Sequence, residues 1–196
     1  MAIIFLVGVS FLVNYNSAYT SSQNRMNLEA QEFYRIARAE LAAGGECKEA
    51  TEYLRGLSPS RRLIVARVIV GDTDARISYV GASLLIEQGR LDEAVPALAR
   101  ILATGLVHSQ LDGRMGYEWI HSDDETLFLR MMIKINRYLL SNLDKYKGEE
   151  RVRVERILMG GFLEESTKPF SLEGAKKRIF EWEAQLRKIS RQRRQR

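Results

Sequence analysis

The residues best suited to chemistry lie in one polar segment, residues 106–125. It holds both histidines of the chain and a group of carboxylates: His108, Asp112, His121, Asp123, Asp124 and Glu125. Imidazole and carboxylate groups are ordinary ligands of zinc and other divalent metals. Ser122 and Glu125, however, have the spacing of a capping box, in which the serine oxygen accepts a backbone amide and the glutamate reaches back. This role accounts for both residues without a metal, so we predict a helix start here, no metal site and no cofactor.

The rest of the sequence carries no recognisable catalytic motif. There is no glycine-rich phosphate loop, no HExxH pair and no nucleophile elbow. Cys47 is the only cysteine, which excludes an intramolecular disulfide and a cysteine-rich metal site. Its place among apolar residues at helical spacing is typical of a small core residue. We therefore predict that the protein is not an enzyme.

The elements that must position these residues are helices. An apolar fraction of 45% and a charged fraction of 28% are ordinary for a folded domain. Apolar residues recur every three or four positions in "LEAQEFYRIARAELAA", residues 28–43. "LIVARVIV", residues 63–70, has strand propensity, but the sequence offers no second strand for it, so a helix is preferred. Cap signals predict helix starts at Asp72–Asp74, at Ser58 and at Ser171, and Gly44 and Gly45 predict a helix end. Pro96 is predicted in the first turn of a helix that starts near Asp92, where it costs little. These patterns predict an all-α fold.

Two parts of the chain correspond after a shift of 44 residues. "AELAAGGECKEATEYLRGL", which begins at residue 39, falls on "SLLIEQGRLDEAVPALARI", which begins at residue 83. Gly45 then meets Gly89, and Leu54 meets Leu98. Each unit is a helix, a glycine turn and a second helix. Because one such pair cannot bury its apolar face alone, stacked pairs are predicted.

The segment "DTDARISYVGASLLIEQGRLDEAVPALARIL", residues 72–102, resembles a HEAT-type helical repeat. In that family the first helix opens with an aspartate and soon has an arginine, here Asp74 and Arg76, and the second opens with "EAIPAL", here "EAVPAL". The turn "LLIEQGRLDEAV" is also similar to a tetratricopeptide repeat, although that family has a period of about 34 residues and Pro96 fits it poorly. The resemblance implies a small α-solenoid that binds a protein or peptide on a groove, without catalytic residues.

An uncharged apolar stretch, residues 2–13, begins the sequence. Extended through "NYNSAYT" it reaches the roughly 20 residues that span a bilayer. A single N-terminal membrane anchor is favoured over a cleaved signal peptide, which normally starts with basic residues, and over a core helix, which is seldom apolar on all faces. The first basic residue, Arg25, follows this stretch, so the positive-inside rule favours a cytoplasmic body. A periplasmic or exported body is the alternative.

Positive charge is concentrated towards the C-terminus. The chain has a net charge of +5, and residues 150–196 hold 13 basic and 7 acidic side chains. Apolar residues spaced by three and four form an a/d seam in the last helix: Leu172, Ala175, Ile179, Trp182, Leu186 and Ile189. The seam either pairs with another helix or docks onto the last repeat, and docking is favoured.

Two surfaces are predicted to bind partners. The loop "MGYEWI" supplies Tyr117 and Trp119, since tyrosine and tryptophan are favoured at interfaces; a core position for Trp119 is the alternative. The second surface is the C-terminal helix and its tail, with candidate residues Trp182, Leu186, Arg187, Arg191, Arg193, Arg194 and Arg196. This tail suits an acidic surface, anionic lipid or nucleic acid, although no aromatic residue is interleaved with its arginines to stack on bases.

Three regions follow from these patterns. They are an apolar N-terminal helix, residues 1–20, a helical-repeat domain, residues 21–165, and a C-terminal helix with a basic tail, residues 166–196. The predicted function is that of a non-catalytic, membrane-tethered protein–protein interaction scaffold or assembly subunit of a larger complex. The alternatives are an exported inhibitor or immunity-type binding protein of the periplasm, and a helical-repeat protein that binds nucleic acid through its tail.

Overall fold

The computed structural model describes residues 28–104, 125–160 and 169–194, which form eight α-helices and no strand. The predicted all-α fold is therefore confirmed, and "LIVARVIV" is helical. Helix α1 covers residues 28–42. The others, in chain order, are α2 (Lys48–Gly56), α3 (Pro59–Ile69), α4 (Ala75–Glu87), α5 (Leu91–Thr104), α6 (Glu125–Ser141), α7 (Gly148–Gly160) and α8 (Leu172–Arg194), with a 3₁₀ turn, Leu143–Lys145, between α6 and α7.

Helix boundaries follow the glycine and cap signals of the sequence. Gly44 and Gly89, which follow α1 and α4, have φ angles of +80° and +72°, a conformation that glycine adopts without steric cost. The Asp74 carboxylate accepts a hydrogen bond from a first-turn amide of α4 at 2.9 Å. The Ser171 hydroxyl does the same for α8 at 3.0 Å. The predicted starts of these two helices are thus confirmed.

Two boundary predictions need correction. Ser58 precedes α3, with Pro59 in its first turn, but the Ser58 side chain makes no capping hydrogen bond. The sequence predicts Pro96 in the first turn of α5, where amides have no intrahelical partner. Because α5 begins at Leu91, Pro96 lies inside the helix, and the carbonyl of Asp92 loses its helical donor. Asp92 and Pro96 are both exposed, so water can replace that donor.

The helices pack around one continuous apolar core. Helix α3 packs on α4, α4 on α5 and α5 on α6, while α7 packs against α5 and α6, and α8 against α6 and α7. The largest fully buried apolar side chains come from α1, α2, α3, α4, α6 and α7: Phe33, Leu54, Ile69, Leu84, Leu85, Ile135, Leu139 and Leu158. Every helix from α1 to α8 contributes to this core.

The two segments that correspond in sequence have similar local structure. One is the end of α1 with α2, and the other is the end of α4 with α5, and a glycine turn lies between the helices in each case. The left-handed glycine is Gly44 rather than Gly45, however, so the two turns differ by one residue from the sequence correspondence. The repeat relation stays a prediction.

Helices α3 and α4 approach each other closely at Gly81. A Cβ atom at this position would lie 2.6 Å from the amide nitrogen of Val70 and 2.9 Å from a side-chain carbon of Ile69. Next to it, the buried Ser78 hydroxyl donates a hydrogen bond to the Val70 carbonyl at 2.7 Å. Glycine is therefore required here to bring the end of α3 onto α4.

Arginines from later helices cap the C-terminal ends of earlier ones. Arg62 of α3 donates to carbonyls at the end of α2, including that of Leu54 at 3.2 Å. Arg100 of α5 donates to carbonyls in the turn after α3. Arg153 of α7 donates to the carbonyl of Ala103 in α5 at 2.9 Å. A cation at this end of a helix also interacts favourably with the helix dipole.

Cys47 is fully buried immediately before α2, as its sequence position predicts. Burial, with a smaller contribution from the Glu40 carboxylate, raises the pKa of its thiol to about 11. Since the thiolate is the reactive form, we expect the folded protein to react with a disulfide reagent far more slowly at neutral pH than the urea-unfolded chain. Absorbance measurements of both rates test this, and equal rates would contradict the buried position.

The same shift sets a pH dependence of stability. The pKa of an unfolded cysteine is about 8.5, below that of folded Cys47. The contribution of this thiol to stability is therefore complete below about pH 8.5, the pKa of the unfolded cysteine. It is lost as the pH rises towards about 11, the pKa in the folded protein. The difference in the free energy of unfolding between the wild type and Cys47→Ala, measured with denaturant, should shrink as the pH rises over this range.

Candidate binding surfaces

Several predicted functional residues lie outside the described part of the chain. These are Tyr117, Trp119 and Arg196, together with the apolar residues 1–20 and the polar residues His108, Asp112, His121, Asp123 and Asp124. The predicted capping box also lies mostly outside, since α6 is described from Glu125. In residues 28–104, 125–160 and 169–194, no cluster of histidine, cysteine and acidic side chains is placed to hold a metal. None of the helices in these ranges is long and apolar enough to cross a bilayer.

The apolar seam of α8 packs within the chain over most of its length. Ala175 and Ile179 are buried, and Trp182 and Leu186 are half-buried. Leu172, the first seam residue, is instead 48% exposed. A hydrogen bond from Gln185 to the carboxylate that begins α6, 2.9 Å long, and an ion pair between α6 and α8 hold the helix in place. Trp182 and Leu186 thus lie on the packed side of α8, as docking of the seam predicts.

The opposite side of α8 is exposed and basic. We call its part from residue 176 onwards the basic face, and its members are Lys176, Lys177, Phe180, Ala184, Arg187, Lys188, Arg191 and Arg194. Glu173 precedes it on the same side of the helix and is also exposed. Residues 184–194 contain five basic and no acidic side chains. Arg193, also predicted to bind, is exposed on another side of the same turn. The structure therefore brings Arg187, Arg191 and Arg194 together on one surface.

Few of these cations are neutralised by neighbours. Arg187 approaches a carboxylate oxygen of Glu183 at 3.8 Å, and Lys177 approaches one of Glu181 at 4.0 Å. Exposed pairs with such long separations contribute little. The other cations of the face, Lys176, Lys188, Arg191 and Arg194, make no ion pair with any described residue. The face therefore keeps most of its positive charge.

Phe180 is the apolar centre of the basic face. Its side chain is 63% exposed, and the Arg187 guanidinium carbon lies 5.7 Å from the centre of its ring. Phe180 was not among the predicted binding residues, because it falls one position after the a/d seam. Its place on the side of the helix opposite the seam is the signal that could have identified it.

A second candidate surface is a groove of about 460 Å³ between α5, α6 and α7. Its walls come from five parts of the chain. The lining residues are Val70, Gly71, Glu93, Pro96, Ala97, Arg100, Tyr138, Asn142, Lys145, Tyr146 and Glu150. No single motif contains them, so the groove could not be predicted from the sequence.

Two lining charges of the groove are engaged in structural contacts. The Arg100 guanidinium donates to the Ser78 hydroxyl at 2.8 Å and to carbonyls of the turn after α3. Glu93 pairs with Arg67 at 2.6 Å and with Arg90 at 2.5 Å. These arginines, Arg67 foremost, lower the pKa of Glu93 to about 2. Both groups therefore form fixed walls of the groove.

Other polar groups of the groove are available to a ligand. The side chains of Lys145 and Glu150 are exposed and make no ion pair with a described residue. Tyr138 and Tyr146 are half-buried, and burial raises the pKa of Tyr146. Its phenol is thus neutral at physiological pH and can donate a hydrogen bond. Two aromatic rings, the Pro96 ring and one charge of each sign suit the binding of a peptide.

Removing the Arg100 guanidinium should destabilise the fold next to the groove. In Arg100→Met, the buried Ser78 hydroxyl and the turn carbonyls lose their donor, and we expect the free energy of unfolding to fall by about 1 kcal/mol. Urea unfolding followed by circular dichroism measures this. Arg35→Met is the control, because Arg35 is 68% exposed and its ion pair among the described residues, with Glu32, lies within its own helix. A change of equal size in both variants would contradict a structural role for Arg100.

Comparisons with known proteins give no match. No family model matches the chain, and neither a curated protein nor a solved structure does so.

Proposed function

We propose that this protein is a non-catalytic interaction scaffold or assembly subunit that binds an extended segment of a partner protein in the groove between α5, α6 and α7. In this proposal residues 1–20 attach the chain to a membrane. The observation that supports it best is the groove itself, where Tyr138, Tyr146 and Pro96 lie beside the available charges of Lys145 and Glu150.

The size and lining of the groove favour a polypeptide segment. A volume of about 460 Å³ accommodates a few side chains of an extended chain, within the usual range of ligand sites. Tyrosine rings provide contact area with little loss of side-chain entropy, which makes them effective anchors. Lys145 and Glu150 provide one donor and one acceptor that can set the direction of the bound segment.

A site-specific photocrosslinker tests this binding site. A benzophenone amino acid replaces Tyr146, and in a control chain it replaces Ala42, which is exposed at the end of α1. We expect irradiation of native cells to give a discrete higher-mass adduct from position 146 and none from position 42. Adding Lys145→Glu to the chain that carries the crosslinker should reduce the adduct several-fold.

The outcomes separate binding from general reactivity. Helix content measured by circular dichroism must match the wild type in all three chains. Adducts of equal yield from positions 146 and 42, or a yield unchanged by Lys145→Glu, would contradict the groove as the binding site.

A further inference from the structure

The basic face of α8 differs from the rest of the described surface in combining concentrated charge with an exposed aromatic ring. Lys188, Arg191 and Arg194 follow Gln185, which donates a hydrogen bond to α6. All three are exposed. Phe180 lies on the same side, one turn before Ala184, and its ring is 63% exposed. The packed seam on the opposite side fixes the direction in which this face points.

This arrangement matches the chemistry of a membrane surface. A helix that lies in the interface of a bilayer has basic residues that reach lipid phosphates and apolar residues that enter the boundary with the acyl chains. The long stems of arginine and lysine allow their charges to stay in the headgroup layer while the ring lies deeper. Phe180 lies between Lys176 and Arg187 along the helix, in the position that such an insertion requires.

We propose that the basic face of α8 binds an anionic lipid bilayer, with the Phe180 ring inserted at the headgroup boundary. The proposal rests on the membrane location in the proposed function, but not on the occupant of the groove. The protein then has two membrane contacts, one through residues 1–20 and one through α8 near the other end of the sequence. The contact through α8 depends on lipid charge, whereas insertion of an uncharged anchor does not.

Nucleic acid fits the same face less well. Proteins that bind single strands place successive bases on several aromatic side chains, and the basic face offers only Phe180. Residues 187–194 are without any aromatic side chain, so bases would have nothing to stack on where the charge is densest. An apolar ring beside a dense group of cations suits lipid better.

A fluorescent probe on α8 of the full-length chain tests the proposal. Ala184→Cys carries an environment-sensitive nitrobenzoxadiazole label at the centre of the face, and Ala42→Cys on α1 carries it in the control. Both alanines are exposed, while Cys47 is buried and its pKa is raised to about 11, so the native thiol does not compete for the reagent. The probes are titrated with vesicles of phosphatidylcholine alone and of phosphatidylcholine with phosphatidylserine.

We expect the label at position 184 to brighten and shift to the blue only with vesicles that contain phosphatidylserine, and the label at position 42 to stay unchanged. Arg187→Gln, Arg191→Gln and Arg194→Gln, combined in one chain, should weaken this response at least about tenfold, since each cation near the surface adds to the affinity. Raised salt should weaken it too, because exposed charges are screened. Phe180→Ser should reduce the blue shift.

Other results would overturn the proposal. These are an unchanged label at position 184 with anionic vesicles, an equal response with phosphatidylcholine alone, a response unaffected by the three glutamines, and a response to an oligonucleotide but to neither vesicle. Sedimentation of the same samples reports attachment through residues 1–20 separately. A chain that sediments with both vesicles while position 184 stays silent would leave the anchor intact and reject only the α8 contact. The groove is tested independently by the crosslinker.

Discussion

Replacing Phe33 with alanine is expected to lower the free energy of unfolding by about 3–5 kcal/mol, the usual loss for a buried aromatic residue. Phe33 lies on α1, its side chain is fully buried, and its ring packs edge-on against that of Tyr34 with the ring centres 5.7 Å apart. The substitution removes this contact and leaves a cavity that the surrounding helices cannot fill. Such a loss is a large part of the 5–15 kcal/mol typical of a natural domain.

Urea unfolding monitored by circular dichroism measures this effect, and Leu28→Ala is the matched control. Leu28 lies on the same helix but is 62% exposed, so its loss should change the free energy of unfolding by no more than about 0.5 kcal/mol. Equal effects of the two substitutions would show that α1 is not part of the common core. The comparison thus tests whether α1 belongs to the common core.

Gly81→Ala is expected to lower the free energy of unfolding by about 2–3 kcal/mol, at the upper end of the range for overpacking. The added methyl group would lie 2.6 Å from the backbone nitrogen of Val70, and backbone cannot rotate away as a side chain can. Helices α3 and α4 must therefore separate. The gain of about 1 kcal/mol that alanine brings to a helix interior offsets only part of this cost.

Gly56→Ala provides the control for the same chemical change. A Cβ atom at Gly56 would meet nothing within 4 Å. The stability of the Gly56→Ala variant should therefore equal that of the wild type or be slightly higher. Because Val70 and Gly71 line the groove, Gly81→Ala should also reduce crosslinking from position 146, while Gly56→Ala should not. Similar melting curves for the two variants would show that α3 and α4 are less closely packed than the structure indicates.

Local signals in the sequence predicted the helices and several of their ends. A serine before α8, an aspartate before α4 and a glycine after α1 each act on neighbouring backbone groups, so their roles follow from residue type and spacing. The a/d seam of α8 also predicted its packed side correctly, because a helical period determines which residues share a face.

Contacts between distant residues could not be predicted in the same way. The Glu40 carboxylate accepts the first amides of α2, from Glu49 and Ala50, at 2.9 and 3.0 Å, and no motif connects a glutamate to a helix that begins eight residues later. The groove depends on how α5, α6 and α7 pack, which sequence periodicity does not determine. Phe180 was not predicted to bind a partner, because an apolar residue outside the seam has no packing partner in the sequence pattern that would indicate its role.

The arginine contacts between helices also bear on how the chain folds as it is synthesised. A nascent chain that ends at residue 104 already contains all of α5, but the carbonyl of Ala103 accepts a hydrogen bond from Arg153, which the ribosome adds much later. Likewise the turn after α3 needs Arg100 from α5. The ends of α2, α3 and α5 thus lack these arginine contacts until the helix that carries the arginine leaves the ribosome. Translation should therefore release a partly assembled stack that closes in steps, and a pause before α7 would expose the open end of α5 for longest.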